Sequence, residues 1–177
     1  RNRRRARRTP ACVFPTVPPR VLAKQMVAIV DDESIIRKTT ARFLKRMNLA
    51  CETIADGSLL LPRFLQLTHA SFSEEPGAPT LVHPPPAFTV ILLDIVMRSS
   101  NGAAVCRCLR EAGVTVPIYA MTANSDSASQ VVYRESGFSG MLGKPFTKED
   151  LADVLRRAME GNTEWSGKLG TDAIVDL

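Results

Sequence analysis

The stretch VAIVDDES, residues 27–34, decides the fold, because an apolar run passes there directly into two adjacent aspartates. A short run that is apolar throughout is typical of a strand buried on both faces of a parallel sheet. Two neighbouring carboxylates repel each other unless a cation lies close to them. We therefore expect a buried strand whose carboxyl end faces a positively charged group.

Short apolar runs and longer amphipathic segments alternate through the rest of the chain. Strands are predicted at 26–30, 51–55, 88–94, 116–123 and 138–142. Helices are predicted at 34–47, 57–67, 102–113, 126–137 and 147–160. We expect Pro62 to disturb the second helix. Five strand–helix pairs predict an α/β fold, a doubly wound five-stranded parallel sheet in a single domain, with right-handed crossovers.

Three of the predicted helices carry recognisable end signals. Gly113 and Gly137 stand where a residue in the left-handed conformation commonly closes a helix. Thr147 and Asp150 form a capping-box pattern at the start of the last helix. These signals predict the ends of the third and fourth helices and the start of the fifth.

Composition divides the chain into three segments, the second of which contains an insertion. Residues 1–25 form a basic, proline-rich arm or linker, and residues 26–160 form the domain. Within the domain, residues 69–87 are a proline-rich insertion without helical or strand periodicity. We expect this insertion at the amino edge of the sheet, with no effect on the chemistry at the carboxyl edge. Residues 161–177 form a polar tail.

The formal charge of +5 is concentrated at one end of the 177-residue chain. Six arginines lie within residues 1–8, so the remaining 169 residues carry −1. A solvated linker is the plain interpretation of the arm, and a nucleic-acid-binding or targeting segment is the alternative. The near-neutral domain argues against nucleic-acid binding by the core. No stretch approaches the ~20 apolar residues of a membrane-spanning helix.

The four cysteines show no zinc-ligand spacing and indicate reduced thiols of an intracellular protein. Cys106 and Cys108 lie two residues apart on a predicted helix, so we expect them on different faces.

Polar side chains follow four of the predicted strands. Asp31 and Asp32 follow the first, Asp94 and Thr122 end the third and fourth, and Lys144 follows the fifth. Because the carboxyl ends of parallel strands meet at one edge, we expect these groups to converge. Clustered carboxylates suit Mg²⁺. An ammonium and a hydroxyl beside them suit a phosphoryl group carried by an aspartate.

Each of these residues also has a plain structural interpretation. Asp32 is a suitable N-cap for the first helix, Lys144 is compatible with the surface, and Thr122 is a common strand residue. Their joint occurrence, in this order and at one predicted edge, favours a shared site.

At this point the chain resembles a response-regulator receiver domain of the CheY-like type, over about residues 26–160. The resemblance is carried by four motifs in order: VAIVDDE (27–33), ILLDIVM (91–97) followed by Gly102, MTA (121–123) and GKPF (143–146). It implies a sheet of strand order 2-1-3-4-5.

The resemblance also implies a Mg²⁺ site. Asp31, Asp32 and Asp94 match its acidic residues. The backbone carbonyl of Val96 matches a further metal ligand, which leaves the side chain at this position free to vary.

The resemblance assigns the phosphoryl chemistry to three residues. Asp94 matches the phosphoacceptor, Thr122 matches the switch hydroxyl, and Lys144 matches the lysine that bonds the aspartyl phosphate. The Lys144–Pro145 peptide is expected to be cis, which proline allows.

Two positions depart from the family pattern. Met141 stands where many receivers have an aromatic switch residue, so a rotamer switch of the usual kind is not expected. Arg98 stands where proline is frequent after the phosphoacceptor.

The resemblance implies a phosphorelay receiver that accepts a phosphoryl group from a histidine kinase or a histidine phosphotransfer protein. The domain itself is then not an enzyme, and it is expected in the cytoplasm. A basic proline-rich arm before the domain and 17 residues after it are similar to the carboxyl end of a hybrid sensor histidine kinase, with no DNA-binding domain in the tail.

Two other functions are compatible with parts of this pattern. A haloacid-dehalogenase-type phosphatase also uses a strand-end aspartate with Mg²⁺, but it is expected to have a second aspartate where Val96 stands. A pseudo-receiver or scaffold that binds through the basic arm is the remaining alternative, and the complete acidic set with Lys144 argues against it.

Overall fold

The computed structural model describes residues 26–70, 88–161 and Trp165. The predicted arm at 1–25, residues 71–87 of the predicted insertion and most of the predicted tail lie outside the described residues. The domain limits and the position of the insertion therefore stay predictions.

The chain alternates between strands and helices, as the apolar pattern predicts. The strands are β1 Met26–Val30, β2 Ala50–Ile54, β3 Val90–Asp94, β4 Ile118–Thr122 and β5 Gly140–Gly143. The helices are α1 Ser34–Arg46, α2 Leu60–Ala70, α3 Gly102–Glu111, α4 Ser127–Glu135 and α5 Lys148–Met159. All neighbouring strands pair in parallel, in the order β2-β1-β3-β4-β5. The predicted doubly wound sheet and its strand order are confirmed.

Two hydrophobic clusters cover the two faces of the sheet. Successive residues of β3 alternate between them: Leu92 packs with α1 and α5, and Leu93 packs with α2, α3 and α4. This alternation is the two-residue period of a strand. Every residue of β3 and β4 is buried, so the core lies directly beneath the strand ends that carry the polar groups.

Helix ends follow the chemistry of their residues. Gly113 and Gly137 have φ of +82° and +91° immediately after the C-caps of α3 and α4, as predicted. Thr147 and Asp150 form the predicted capping box of α5. The two glycines mark the ends of α3 and α4, and the capping box marks the start of α5.

The structure corrects the expectation for Pro62. A single 3-10 turn at Gly57–Leu59 precedes α2, so Pro62 is the third residue of that helix. A proline in the first turn needs no backbone N–H, because the groups at that position have no partner within the helix. The helix therefore continues to Ala70 without interruption at the proline.

The two neighbouring cysteines of α3 lie on different faces, as predicted: Cys106 is buried and Cys108 is exposed. Among the residues placed in the structure, none forms a helix long and apolar enough to cross a membrane. Trp165 packs against the cluster on the α2–α4 face, and the Arg134 guanidinium of α4 lies 5.3 Å from the centre of its ring.

Candidate functional site

Three aspartates meet at the carboxyl edge of the sheet. Asp31 follows β1 directly, and Asp94 is the last residue of β3. One carboxylate oxygen each from Asp31, Asp32 and Asp94 lie within 4.8 Å of one another. Asp31 is fully buried and Asp94 is 4% exposed. The convergence expected from the parallel sheet is therefore observed for all three.

The Lys144 ammonium lies between two of these carboxylates. Its Nζ is 2.7 Å from Asp31 Oδ2 and 3.0 Å from Asp94 Oδ1. The lysine follows β5, and its backbone N–H donates to the Thr122 carbonyl over 2.6 Å, which ties it to the end of β4. Part of the positive charge expected beside the adjacent aspartates therefore comes from Lys144, which is 113 positions from Asp31 in the sequence.

Burial and charge oppose each other in this group. Burial raises the pKa of Asp94, the Lys144 ammonium acts to lower it, and the Asp31 carboxylate raises it further. Burial acts to lower the pKa of Lys144, but its hydrogen bonds with Asp31 and Asp94 outweigh this and raise it. The lysine is therefore protonated, and ionisation of Asp94 is less favourable than that of an exposed aspartate.

Asp32 is held from the opposite side. Its Oδ2 accepts from the Arg98 backbone N–H at 3.1 Å and lies 3.3 Å from Arg98 Nε. Proline at position 98 could not donate the first of these bonds. The N-cap of α1 is Glu33, whose backbone N–H donates to Asp31 Oδ1 over 2.7 Å, so the alternative of Asp32 as N-cap is wrong.

The β3–α3 connection has room for glycine alone at position 102. The Gly102 N–H donates to the Ile95 carbonyl over 2.9 Å. A Cβ there would lie 2.1 Å from the Asp94 carbonyl oxygen. Val96 forms an isolated bridge with Asn101, and its residue surface is 78% exposed. The role of the Val96 carbonyl as a metal ligand stays a prediction.

Thr122 lies at the end of β4 and is 3% exposed. Its Oγ1 is 3.1 Å from the Asn124 carbonyl oxygen and 3.1 Å from the Tyr133 hydroxyl of α4. Sequence reasoning missed Tyr133, because a buried aromatic residue on a helix is ordinarily part of the core. Met141 is fully buried in the same cluster as Tyr133. The Lys144–Pro145 peptide is cis, as the resemblance implied.

The donor set fits a hard divalent cation. Three clustered carboxylates, together with the one ammonium that contacts two of them, have a formal charge of −2. Carboxylate oxygens are the ligands that Mg²⁺ and Ca²⁺ prefer, and Mg²⁺ commonly takes one or two of them while keeping waters. The side of the cluster formed by Asp32 is partly exposed, which leaves an approach from solvent.

The sheet order and the acidic edge define a CheY-like receiver fold. The chain belongs to the response regulator receiver domain family, whose model matches residues 27–156. It is therefore a phosphoacceptor domain of two-component signal transduction.

Two curated relatives and one solved structure illustrate the likeness. The alkaline phosphatase synthesis transcriptional regulatory protein SphR of Synechococcus elongatus is 32% identical over 152 residues, which span 84% of this chain and 55% of that protein. Transcription factor SKN7 of Candida albicans is 28% identical over 74% of this chain and 20% of its own length. The chemotaxis protein CheY4 of Vibrio cholerae has a TM-score of 0.60 and 25% identity, covering 77% of this chain and 99% of that one.

Proposed function

We propose that Asp94 accepts a phosphoryl group from a phosphohistidine of a partner protein, with Mg²⁺ held by the neighbouring carboxylates. One observation carries the proposal: the Lys144 ammonium bridges Asp31 and Asp94 inside a three-carboxylate cluster at the carboxyl edge. A lysine placed in this way supplies positive charge to two buried carboxylates, one of which is the proposed phosphoacceptor.

The transfer exchanges one bond for another. A carboxylate oxygen of Asp94 forms a bond to phosphorus as the N–P bond of the phosphohistidine breaks. The imidazole nitrogen keeps the electron pair of that bond and takes up a proton. Lys144, already 3.0 Å from Asp94, compensates the negative charge of the phosphoryl oxygens as the acyl phosphate forms.

The metal would be held by the carboxylates of Asp31, Asp32 and Asp94 and the backbone carbonyl of Val96. When bound, Mg²⁺ supplies positive charge beside the phosphoryl oxygens. The Asp31 carboxylate holds Lys144 in position. Its Oδ1 accepts a hydrogen bond from the Glu33 N–H, and its Oδ2 contacts the Lys144 ammonium. The Thr122 hydroxyl would be a neutral hydrogen-bond donor to the phosphoryl group, because Thr122 follows Met121, which pairs in register with Asp94.

Incubation with phosphoramidate, a small donor with an N–P bond, tests the proposal. We expect the parent chain to gain one phosphoryl group in Mg²⁺, detected by intact mass, and to gain none in EDTA. Asp94→Asn should not be labelled, and Asp153→Asn, on the outer face of α5, should be labelled like the parent. Equal labelling of Asp94→Asn would rule the proposal out.

The partner and the parent protein follow from the same proposal. The donor is a histidine kinase or a histidine phosphotransfer protein, the site is cytoplasmic, and the domain has no turnover of its own. A hybrid sensor kinase, which the family resemblance suggested, is one candidate for the parent. The names of SphR and SKN7 support a transcriptional regulator instead. The phosphoramidate assay does not depend on this choice.

The arginines of residues 1–8 favour a second activity, binding of a nucleic acid by the arm. Six positive charges in eight residues would release counterions from RNA or DNA, so such binding weakens steeply with salt. We expect any RNA affinity at low salt to disappear when residues 1–8 are deleted, while phosphoramidate labelling is retained. A filter-binding titration at two salt concentrations measures the RNA affinity. The absence of RNA binding at low salt would rule out this second activity.

A further inference from the structure

Three oxygen atoms form a closed set at the turn between β4 and α4. The Thr122 Oγ1 lies 3.1 Å from the Asn124 carbonyl oxygen and 3.1 Å from the Tyr133 hydroxyl, and that hydroxyl lies 3.3 Å from the same carbonyl. The Asn124 backbone N–H also donates to Thr122 Oγ1 over 3.0 Å. Thr122 and Tyr133 are 3% and 4% exposed, so water has little access to either hydroxyl.

The set contains two hydroxyl protons. In one arrangement Tyr133 donates to Thr122, and Thr122 donates to the Asn124 carbonyl. In the other Thr122 donates to Tyr133, and Tyr133 donates to the carbonyl. In both, the Thr122 proton is used within the turn. If Thr122 turned its proton elsewhere, Tyr133 could still donate to Asn124, so no buried hydroxyl proton would be stranded.

An acceptor of this proton would arise beside the end of β3. Thr122 follows Met121, which is paired in register with Asp94. A phosphoryl group on Asp94 adds charged oxygens, and a hydrogen bond to a charged oxygen is roughly twice as strong as one between neutral groups. The phosphoryl oxygens would therefore compete with the turn for the Thr122 proton.

We infer that Tyr133 of α4 retains the Thr122 hydroxyl in the turn and releases it when Asp94 is phosphorylated, so that α4 senses the modification directly. The inference rests on the proposed function. Tyr133 is a positioning residue here, because it acts through Thr122 and does not contact the phosphoryl group.

The surroundings of Tyr133 support a role in transmission. Met141 of β5 is buried in the same cluster and has no hydroxyl. The phenolic hydroxyl that contacts Thr122 therefore belongs to Tyr133 of α4. The Tyr133 ring meets Phe138 edge to face, with centroids 6.1 Å apart. Its sequence neighbours Val131 and Val132 are 53% and 47% exposed. A change at the Tyr133 hydroxyl would thus reach an exposed apolar part of α4.

The unmodified chain provides the first test. With ¹³Cζ-labelled tyrosine, we expect beryllofluoride and Mg²⁺ to shift the Tyr133 resonance, with the same saturation as amides near Asp94. Tyr119, the other tyrosine of the chain, is buried against α5 on the opposite face and should not shift. A stationary Tyr133 resonance while the Asp94 amides respond would overturn the inference.

Removal of the hydroxyl provides the second test. Tyr133→Phe keeps the ring and removes one of the two oxygen partners that retain the Thr122 hydroxyl in the turn, and the Asn124 carbonyl stays as the other. We expect it to bind beryllofluoride about two- to tenfold more tightly, the range of one neutral hydrogen bond. Tyr119→Phe is the matched control and should bind like the parent. Unchanged or weaker binding by Tyr133→Phe would contradict a retaining role.

The outcomes separate this inference from the proposal beneath it. If the parent chain binds no beryllofluoride in Mg²⁺, both fail together. The parent chain could instead bind beryllofluoride while the Tyr133 resonance stays as constant as that of Tyr119 and Tyr133→Phe binds like Tyr119→Phe. In that case the phosphoacceptor proposal stands and the sensing role of Tyr133 is rejected.

Discussion

Lys144 lies between Asp31 and Asp94 with 16% of its side chain exposed. Lys144→Met would leave two buried carboxylates facing each other without a cation. Loss of one partner from a buried ionic group typically costs about 3–5 kcal/mol. We expect a loss of this size in urea denaturation without metal, and partial recovery in Mg²⁺. Lys38→Met, on the exposed side of α1, is the control. An equal loss of stability in Lys38→Met would refute the stabilising role of the Lys144 ammonium between the two carboxylates.

Asp94 gives a pH-dependent prediction. Burial raises its pKa above the ordinary value of 3.8, so the folded protein favours the protonated carboxyl. Its stabilising contribution is complete below pH 3.8 and is lost as pH rises through the raised pKa. Without metal at pH 7, Asp94→Asn should therefore be more stable by about 1 kcal/mol, or ~2–4 °C in Tm.

The gain of Asp94→Asn should shrink as pH falls through the raised pKa of Asp94. Thermal denaturation of the variant and the parent across this range measures it, with Asp153→Asn as control. A gain that is constant with pH would show that ionisation of Asp94 is not its cause.

Arg98 would compete with a metal bound by Asp32. Its guanidinium lies 3.3 Å from Asp32 Oδ2, but its side chain is 88% exposed, so the pair is a weak surface contact. Arg98→Ala should increase Mg²⁺ affinity about one-and-a-half to fivefold at low salt, the equivalent of one exposed ion pair. Calorimetric titration measures it. Arg42→Ala, exposed on α1, should leave the affinity unchanged, and a reduced affinity in Arg98→Ala would contradict competition.

At the scale of elements, local chemistry and burial agree, which is why the sequence predicts them well. β3 and β4 are mainly apolar up to their last residues, Asp94 and Thr122, and both strands are buried throughout. The capping box of α5 and the glycines after α3 and α4 are local signals that need no distant partner. The expectation for Pro62 was wrong because the effect of a proline depends on its position within the helix. Asp56 caps a separate 3-10 turn at Gly57–Leu59, so α2 begins only at Leu60.

The β3–α3 connection is the element most sensitive to substitution. A Cβ at Gly102 would lie 2.1 Å from the Asp94 carbonyl oxygen and 2.9 Å from Ile95 Cα, so the backbone that carries Asp94 would have to move. Gly102→Ala should lose about 2–4 kcal/mol of stability and bind Mg²⁺ more weakly. Chemical denaturation and metal titration measure the two effects.

Gly143→Ala is the matched control for Gly102→Ala. Nothing lies within 4 Å of a Cβ at position 143, although it adjoins Lys144. We expect it to retain both stability and Mg²⁺ binding. If the two variants behave alike, steric displacement of Asp94 is not the reason for the loss.

At the scale of the whole molecule, topology alone brings the site together. The parallel order predicts which strand ends share an edge, and so Asp31, Asp32, Asp94, Thr122 and Lys144 could be selected from the sequence. Contacts between their side chains could not, because they depend on rotamers and on packing between segments far apart. The Arg98–Asp32 contact joins residues 66 positions apart, and the Thr122–Tyr133 bond depends on how α4 packs.

Trp165 is the one tryptophan of the chain, and its ring lies 5.3 Å from the guanidinium carbon of Arg134, the residue that follows Tyr133. Indole emission responds to a nearby cation, so this pair is an intrinsic optical probe of α4. We expect beryllofluoride with Mg²⁺ to change the fluorescence of the parent and to leave that of Asp94→Asn constant. A flat signal in the parent would mean that α4 keeps Arg134 in place. A fluorescence change that grows with beryllofluoride concentration would let the state of a buried aspartate be followed in real time without an added label.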